Sequence, residues 1–263
     1  SLYVWQYSSG AKICFYKNFL LRKYETNKAF YGFPIGEGNL IDAVEALIDN
    51  AAELGEKLSL LGLDKSMINK LEDMGLNDKF TYKKDLDISE YIYDSRDLIE
   101  LNGKKYHSKR NHISKFKRKY EYEYEDISEK NINEVLDFLN RYCEENNCKG
   151  DKGLCNEFKA LQISLANYFA LGFIGGLIRV DGSIIAMTMG EEINSNIFVV
   201  HFEKALKSYD GSYTLINNEF AKRKLSTYKY INREEDLGIQ GLRKAKKSYY
   251  PSIFLEKYNV TFN

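Results

Sequence analysis

Proline, tryptophan and histidine are scarce in this sequence of 263 residues, which contains two, one and three of them. Its charges cancel, with 38 Lys and Arg against 38 Asp and Glu, and this balance excludes a generally basic surface for nucleic acid. Any site for an anion must therefore be local. The sequence also lacks an apolar run of about 18 residues and a signal-peptide pattern, so we expect a cytoplasmic protein without a transmembrane segment.

The four cysteines lack the spacing of a metal site or a redox motif. Cys14, Cys143, Cys148 and Cys155 form no CxxC pair, and no pair of histidines accompanies them. The pattern predicts reduced thiols without a chemical role and a protein without a metal site.

The length predicts two domains, because 263 residues exceed the usual domain size of about 100 to 200 residues. The hydrophobic content of 44% suffices for packed cores. Tyrosine is frequent, with 21 copies, and favours strands and half-buried surfaces where its hydroxyl stays in water. The chain begins at Ser1 in a strand-like run, so we expect further residues before it in the full protein.

The first 102 residues predict a meander of strands followed by helices and strands. Runs of aromatic or alternating residues predict strands at 2–7, 12–16, 20–24 and 29–33. After the stretch GFPIGEG, apolar residues from Leu40 to Ala51 follow a helical period, and Gly55 ends this predicted helix. Next come a predicted strand at 57–61, a helix at 65–74, and strands at 80–84 and 90–93.

The second half repeats this order after two additional helices, predicted around 132–143 and 158–169. The repeated elements are strands at 172–180, 183–191 and 197–204, a helix at 213–225, a strand at 228–231, a helix at 239–248 and a strand at 253–259. The repetition predicts an α+β fold of two similar domains, each a mixed sheet flanked by helices. We place these domains at 1–102 and 121–263, with a basic helix at 103–120 at their junction.

Glycines between strands and helices predict a place for an anion. Backbone N–H groups at a helix N-terminus point toward one spot and suit a phosphate or a carboxylate. Gly36, Gly38 and Gly211 stand at such positions, and the loop SYDGSY predicts contacts from Gly211, Ser212 and Tyr213. The alternative interpretation is an ordinary turn at each glycine.

The segment GKKYHSKRNHISKFKRKY, residues 103–120, has eight Lys or Arg and no acidic residue. A helix here would place apolar residues on one face and polar donors on another. We predict that His107, Lys109, Arg110 and Asn111 bind a substrate, because four different polar groups share a short stretch at the domain junction. The lysines at 115–119 fit a solvated face instead.

Polar side chains also mark the ends of two predicted strands. His201 and Glu203 approach the end of the strand at 197–204, where sheets with crossover helices present ligand sites. Glu203 is a candidate catalytic base and His201 a candidate substrate ligand. The alternative is that both are hydrogen-bonding or ion-pair partners in the core.

The stretch YINREEDLGIQGLRKAKKSYYP, residues 230–251, combines acids, bases and glycines between a strand and a helix. Helix capping explains acids before a helix and cations within it, but it explains Asn232 and Arg233 less well. The candidates from this stretch are of three kinds. We predict substrate contacts from Asn232, Arg233 and Asp236, a catalytic role for Glu234 and Tyr249, and phosphate contacts from Arg243, Lys244 and Lys246.

These segments resemble bacterial proteins similar to the C-terminal domain of phosphatidylglycerol lysyltransferase. The resemblance rests on EYIYD at 90–94, GKKYHSKRNH at 103–112, HFEKA at 201–205, DGSY at 210–213 and NREEDLGIQGLRKAKKSYYP at 232–251. It implies tandem acyltransferase domains of the GNAT (acyl-CoA N-acyltransferase) type, as in the Fem aminoacyltransferases. This implication agrees with the repeated element order.

The resemblance implies transfer of an acyl group from an activated donor to an amine or hydroxyl acceptor, without a tightly bound cofactor. The acyl-CoA loop pattern of GNAT enzymes, Gln or Arg followed by xxGxG or xxGxA, is missing after the third strand, so aminoacyl-tRNA is favoured over acyl-CoA. Glu203 or Glu234 would accept the proton of the attacking group, and Tyr249 would act as the acid that protonates the leaving group. The identity of the acceptor stays open among a small molecule, a peptide and a lipid head group. The alternative function is that of a non-catalytic module that binds RNA or another anionic ligand.

Overall fold

A computed structural model of the chain describes residues 10–25, 28–150 and 152–263. Within these ranges the helices are α1 (Leu40–Glu53), α2 (Lys65–Asp73), α3 (Ser95–Glu100), α4 (His107–Lys119), α5 (Ile132–Glu145), α6 (Lys152–Ala166), α7 (Ser212–Lys224) and α8 (Gln240–Lys247). The strands are β1 (Lys12–Tyr16), β2 (Phe19–Glu25), β3 (Ala29–Tyr31), β4 (Ile35–Gly36), β5 (Ser59–Leu63), β6 (Phe80–Asp94), β7 (Glu123–Asp126), β8 (Ile174–Val180), β9 (Ser183–Asn194), β10 (Ile197–Ala205), β11 (Tyr230–Asn232) and β12 (Ile253–Phe262). The strand predicted at 2–7 lies outside the described residues.

The chain forms two compact units, and each takes residues from separate stretches. The first unit contains residues 91–234 and 244–253, and the second contains residues up to 90 together with 235–243 and 254–263. The basic segment forms α4 within the first unit. The consecutive domain segments 1–102, 103–120 and 121–263 stay a prediction.

The first unit has a mixed sheet in the order β6, β11, β10, β9, β8 and β7. Its hairpin between β8 and β9 turns at Asp181 and Gly182, whose positive φ angles of 49° and 74° are those of a tight hairpin turn. β10 and β11 run parallel, so their carboxyl ends lie at the same edge of the sheet. Aromatic side chains dominate one core of this unit, among them Tyr91, Tyr93, Tyr106, Phe198, Phe220 and Tyr249.

The second unit has a sheet in the order β1, β2, β3, β5, β12 and β6, with β4 paired to β2. β3 and β5 are parallel, and the described pairings of β2 and β12 are antiparallel. Helix α1 packs its apolar stripe into the core of this unit, since Ala43, Val44, Leu47 and Ala51 are all buried. Asn39 caps the helix by accepting a hydrogen bond from the N–H of Ile41.

Both units therefore have the predicted α+β architecture of mixed sheets with flanking helices. The boundaries of β6 correct the prediction, because the strands expected at 80–84 and 90–93 form one strand of 15 residues. Its middle is mostly polar, and residues 81–84 are all exposed, which resembles a loop in sequence but leaves the backbone free to pair. α3 and β7 were not predicted.

Candidate active site

Glu203 lies at the centre of a polar cluster in the first unit. Its Oε1 accepts a hydrogen bond from Nη2 of Arg233 at 2.8 Å, and its Oε2 accepts one from Nδ2 of Asn217 at 3.0 Å. The three residues come from β10, the end of β11 and α7. They meet because β10 and β11 are parallel up to Val199 and Asn232, so the residues after this pairing lie at one sheet edge.

Arg233 is held against the rings of two tyrosines. Its guanidinium carbon lies 4.9 Å from the ring centroid of Tyr249 and 5.7 Å from that of Tyr93. Burial lowers the pKa of Arg233, but the charge and hydrogen bond of Glu203 together with Tyr93 and Tyr249 leave the pKa raised. The guanidinium is therefore a permanent cation.

Two buried polar atoms beside Glu203 have no hydrogen-bond partner within the described part of the chain. They are Nη1 of Arg233, a donor, and Oδ1 of Asn217, an acceptor. Leaving a buried polar group unpaired costs about 1 to 3 kcal/mol, so native structures rarely contain one without a ligand, a water or a function. The cluster thus offers one donor and one acceptor to a bound molecule.

Helix α4 brings Lys109 to the same cluster. The helix is anchored by two buried aromatic residues, Tyr106 and Phe116, and the hydroxyl of Tyr106 donates to the backbone oxygen of Tyr249 at 2.9 Å. Nζ of Lys109 donates to Oγ of Ser248 at 2.6 Å and lies 3.7 Å from the ring centroid of Tyr249. The pKa of Lys109 is lowered to about 8, first by burial and then by the charge of Arg233, while the charge of Glu203 opposes both.

The hydroxyl of Tyr249 stays protonated at neutral pH. Burial raises the pKa of Tyr249 to about 12, although the charge of Arg233 acts in the opposite direction. The ring is therefore a packing surface for two cations and carries a hydroxyl that can donate a hydrogen bond.

His201 and Glu234 form a second arrangement in the first unit. Nδ1 of His201 lies 2.7 Å from Oε1 of Glu234, and Nε2 lies 3.1 Å from Oε1 of Glu191. Burial lowers the pKa of His201, but the hydrogen bonds to Glu191 and Glu234 leave it raised. A shift of register between Val200 and Phe202 interrupts the regular alternation of β10, so His201 and Glu203 have different partners.

Several predicted site residues have structural contacts. Arg110 donates to the backbone oxygens of Leu101 and Gly103, and Asn111 contacts His107 one helical turn away, at 3.0 Å. These contacts stabilise the start of α4, and His107 and Asn111 are exposed to solvent.

Residues around α8 have contacts of the same kind. Nζ of Lys246 donates to the backbone oxygen of Arg233, and the side chain of Asn232 accepts from the N–H of Glu234 at 2.8 Å. Both contacts fix the backbone on either side of Arg233. Lys244 is exposed.

Arg243 and Asp236 belong to the second unit. Nη2 of Arg243 lies 2.7 Å from Oδ1 of Asp236 and 2.6 Å from Oδ1 of Asp87, so both carboxylates pair with the same guanidinium. That unit also has an apolar cavity of about 350 Å³, lined by Ile13, Phe15, Leu21, Tyr31 and Leu47 among others. No predicted site residue lines it.

Gly211 begins α7 with a φ of 92°, a conformation that favours glycine. A Cβ at this position would stand 2.8 Å from the backbone oxygen of His112. Ser212 is buried with its hydroxyl 3.4 Å from the backbone oxygen of Leu206, and Tyr213 is half-exposed. Gly36 and Gly38 also have positive φ, but a Cβ at Gly36 would meet the backbone of Asn18, so close packing explains this glycine.

Sequence reasoning missed Asn217, Ser248, Tyr93 and Glu191. Asn217 lies in α7, of which nearly the whole first half is buried, including Asn217, Asn218 and Glu219. The sequence did offer one signal for this site. It is the run of three consecutive polar residues in a helix that the fold buries.

The described residues contain neither a candidate metal site nor a candidate membrane-spanning helix. They contain no group of three or more His, Cys, Asp or Glu side chains that could hold a metal ion. Among them, no helix combines the length and apolarity that crossing a membrane requires.

Comparison with known proteins gives one family and several similar structures. The family described as "Phosphatidylglycerol lysyltransferase, C-terminal" matches residues 1–261. A conserved protein of unknown function from Bacteroides thetaiotaomicron is 41% identical, with a TM-score of 0.92 over 100% of this chain and 89% of that one. The L-PGS structure from Bacillus licheniformis has a TM-score of 0.69 at 14% identity, over 99% of this chain and 87% of that one.

Two further likenesses bear on fold and length. A tandem GNAT protein from the clavulanic acid biosynthesis pathway has a TM-score of 0.51 at 9% identity, over 93% of this chain and 78% of that one. This likeness confirms the predicted tandem GNAT-like fold. An uncharacterised protein of Mycoplasmoides gallisepticum is 25% identical over 185 residues, which is 65% of this chain and 55% of that protein. The aligned part thus spans about half the length of this curated relative.

Proposed function

Because the chain belongs to the family of phosphatidylglycerol lysyltransferase C-terminal domains, we propose that it transfers an aminoacyl group from aminoacyl-tRNA to an amine or hydroxyl acceptor. The family and the tandem GNAT-like fold support acyl transfer as the class of reaction. We place the reaction in the cytoplasm, where charged tRNA is available.

The observation that carries this proposal is the convergence of Lys109, Glu203, Arg233 and Tyr249 in the first unit. These residues come from α4, β10, the end of β11 and the end of α8, and contacts within 5 Å connect them. Packing alone does not require two cations around one buried tyrosine next to an unpaired guanidinium nitrogen. Such a cluster suits a reaction in which negative charge develops on an oxygen.

Arg233 is the proposed partner of that oxygen. When a nucleophile attacks the ester carbonyl of the donor, the carbonyl oxygen becomes an oxyanion, and a buried donor already in place stabilises it without reorganisation. Nη1 of Arg233 is such a donor, while Nη2 is fixed by Glu203. Glu203 thus orients the guanidinium, and the Tyr249 hydroxyl can donate a hydrogen bond to the leaving ribose oxygen.

The choice of donor rests on the loop after β10. Its sequence SYDGSY lacks the acyl-CoA pattern of GNAT enzymes, which favours aminoacyl-tRNA. Gly211, Ser212 and Tyr213 at the start of α7 are the proposed contacts for a donor phosphate. The acceptor in this proposal is a small molecule, a peptide or a lipid head group that carries an amine or a hydroxyl.

A transfer assay tests this function. The protein is incubated with a pool of charged tRNA or a mixture of acyl-CoA, together with lysine-like amines and phosphatidylglycerol vesicles as acceptors, and new amides or esters are detected by mass spectrometry. We expect product with charged tRNA, and a loss of about 10²- to 10³-fold in rate for Arg233→Met. The exposed Lys159→Met is the control and should keep the rate. Absence of product with every donor and acceptor would contradict the proposal.

RNA binding without chemistry is the second candidate, favoured by one surface. Lys104, Lys115 and Arg118 are exposed, and within the residues described they make no ion pair with a carboxylate. Binding through several phosphates weakens steeply with salt. Salt-sensitive tRNA binding without any product would support this candidate over the transferase.

A further inference from the structure

Lys109 differs from the neighbouring lysines in how its charge is compensated. Lys105 pairs with Asp97 and Lys117 with Glu219, but among the described residues no carboxylate lies within ion-pair distance of Lys109. Its amine is half-buried, donates to a neutral hydroxyl and shares the Tyr249 ring with the cation of Arg233. An ammonium in this position has no ion-pair partner among the described residues, so its surroundings shift the equilibrium toward the neutral amine relative to a lysine in water.

The carboxylates predicted as proton acceptors are already occupied. Both oxygens of Glu203 accept hydrogen bonds, from Arg233 and Asn217, and Oε1 of Glu234 is engaged by His201. A carboxylate oxygen held in this way would have to give up its partner before it could take a proton from the nucleophile. Lys109 is left as the base in the cluster.

We propose that the neutral amine of Lys109 is the proton acceptor of the transfer reaction. This inference rests on the proposed function. The acceptor amine or hydroxyl attacks the ester carbonyl of the donor, a C–N or C–O bond forms, and the proton of the nucleophile passes to Nζ of Lys109. When the ester bond breaks, Lys109 gives this proton to the ribose oxygen that leaves with the tRNA, which restores the neutral amine.

The charge balance of the site supports this role. The groups that face Lys109 are Arg233, which disfavours its ammonium form, and Glu203, which favours it, and the Tyr249 ring lies against it. With a pKa of about 8, roughly one Lys109 in ten is neutral at pH 7, against about one in several thousand for a lysine in water. The proton-accepting form is therefore a few hundred times more abundant than in an ordinary lysine.

Competitive labelling measures the titration of Lys109 without any assay of activity. The protein is treated with trace acetic anhydride between pH 6 and 11, and acetylation of each lysine is quantified by peptide mass spectrometry. We expect half-maximal labelling of Lys109 near pH 8. Labelling of Lys109 only above pH 10, as for a lysine in water, would overturn the proposal.

The second measurement is the pH dependence of kcat/KM with a hydroxyl acceptor, which does not itself titrate in this range. The rate should rise with pH, reach half of its maximum near pH 8 and level off about one to two pH units higher. Lys109→Arg and Lys109→Gln should lose this rise and about 10²- to 10⁴-fold in rate, with thermal melts that show folded proteins. Lys159→Arg should match the unmodified chain.

The possible outcomes distinguish the role of Lys109 from the proposed transferase function on which it rests. Transfer that keeps its rate and its pH profile in Lys109→Gln overturns the role of Lys109 and leaves the transferase intact. Failure to form product with any donor overturns the transferase and this role with it, even where labelling finds a reactive Lys109.

Discussion

Arg233 donates through Nη2 to Oε1 of Glu203 at 2.8 Å, while its Nη1 is buried and has no hydrogen-bond partner within the residues described. The guanidinium is thus fixed at one nitrogen and available at the other. Side-chain exposure is 12% for both residues, so water does not compensate either charge fully. The pair therefore matters for stability as well as for the proposed reaction.

Removing only one member of this pair should be costly. Arg233→Met leaves the charge of Glu203 buried without a counter-ion, and we expect the free energy of unfolding to fall by about 3 to 5 kcal/mol. Adding Glu203→Gln to this variant removes the uncompensated charge and should recover part of the loss. Urea unfolding of the two single variants and the double variant measures the coupling, and strictly additive losses would contradict a direct pair.

His201 should make stability depend on pH. Burial lowers its pKa, but the hydrogen bonds with Glu191 and Glu234 leave it raised above the ordinary value of about 6.5. A raised pKa stabilises the fold fully below the unfolded value, and this contribution is lost as pH rises through the folded value. The free-energy difference between the unmodified chain and His201→Gln, measured by urea unfolding from pH 5 to 9, should therefore shrink with rising pH.

Gly211 should tolerate no side chain. Gly211→Ala places a residue with a Cβ at a φ of 92° and 2.8 Å from the backbone oxygen of His112. Gly172→Ala is the matched control, because its φ of 68° is also positive but no atom lies within 4 Å of the added Cβ. The control should cost about 1 to 2 kcal/mol from backbone strain alone, and Gly211→Ala should cost more. Equal losses of unfolding free energy for the two variants would contradict this prediction, because they would mean that α4 shifts away from the added Cβ without a cost.

Arg243 should stabilise the fold of the second unit. It donates to Asp236, which is fully buried, and to Asp87, so Arg243→Met leaves a buried carboxylate with less compensation. We expect a lower melting temperature than for Lys244→Met, which alters an exposed residue of the same helix. A lower tRNA affinity of Arg243→Met at an unchanged melting temperature would instead support the phosphate contact predicted from sequence.

Local sequence patterns sufficed for most elements of the fold. The helical period from Leu40 to Ala51 and the Asp181–Gly182 turn each predicted an element that the structure contains. No local sequence pattern indicated which strands β12 and β6 pair with. β12 pairs with β5 of the first half, and β6 pairs with β11 of the second half. These pairings join segments that are distant in sequence, so local patterns do not reveal them.

The candidate site was predictable to a similar degree. Glu203 and Arg233 were predicted as site residues because each is a charged residue at the end of a predicted strand, and parallel strands bring such ends together; in the structure the two side chains do meet, at 2.8 Å. Asn217 was missed because a polar residue within a helix is ordinarily expected to face solvent, whereas nearly the whole first half of α7 is buried. The role of Lys109 among eight basic residues could not be isolated, since burial by Tyr249 and repulsion by Arg233 depend on the tertiary structure.

The most direct measurement is single-turnover transfer of an isotopically labelled aminoacyl group from tRNA to the acceptors, for the unmodified chain, Arg233→Met and Lys159→Met. The account predicts labelled amide or ester product from the unmodified chain and from Lys159→Met, and a rate at least about 100-fold lower from Arg233→Met. Labelled product formed equally fast by folded Arg233→Met, or no product from the unmodified chain, would contradict it.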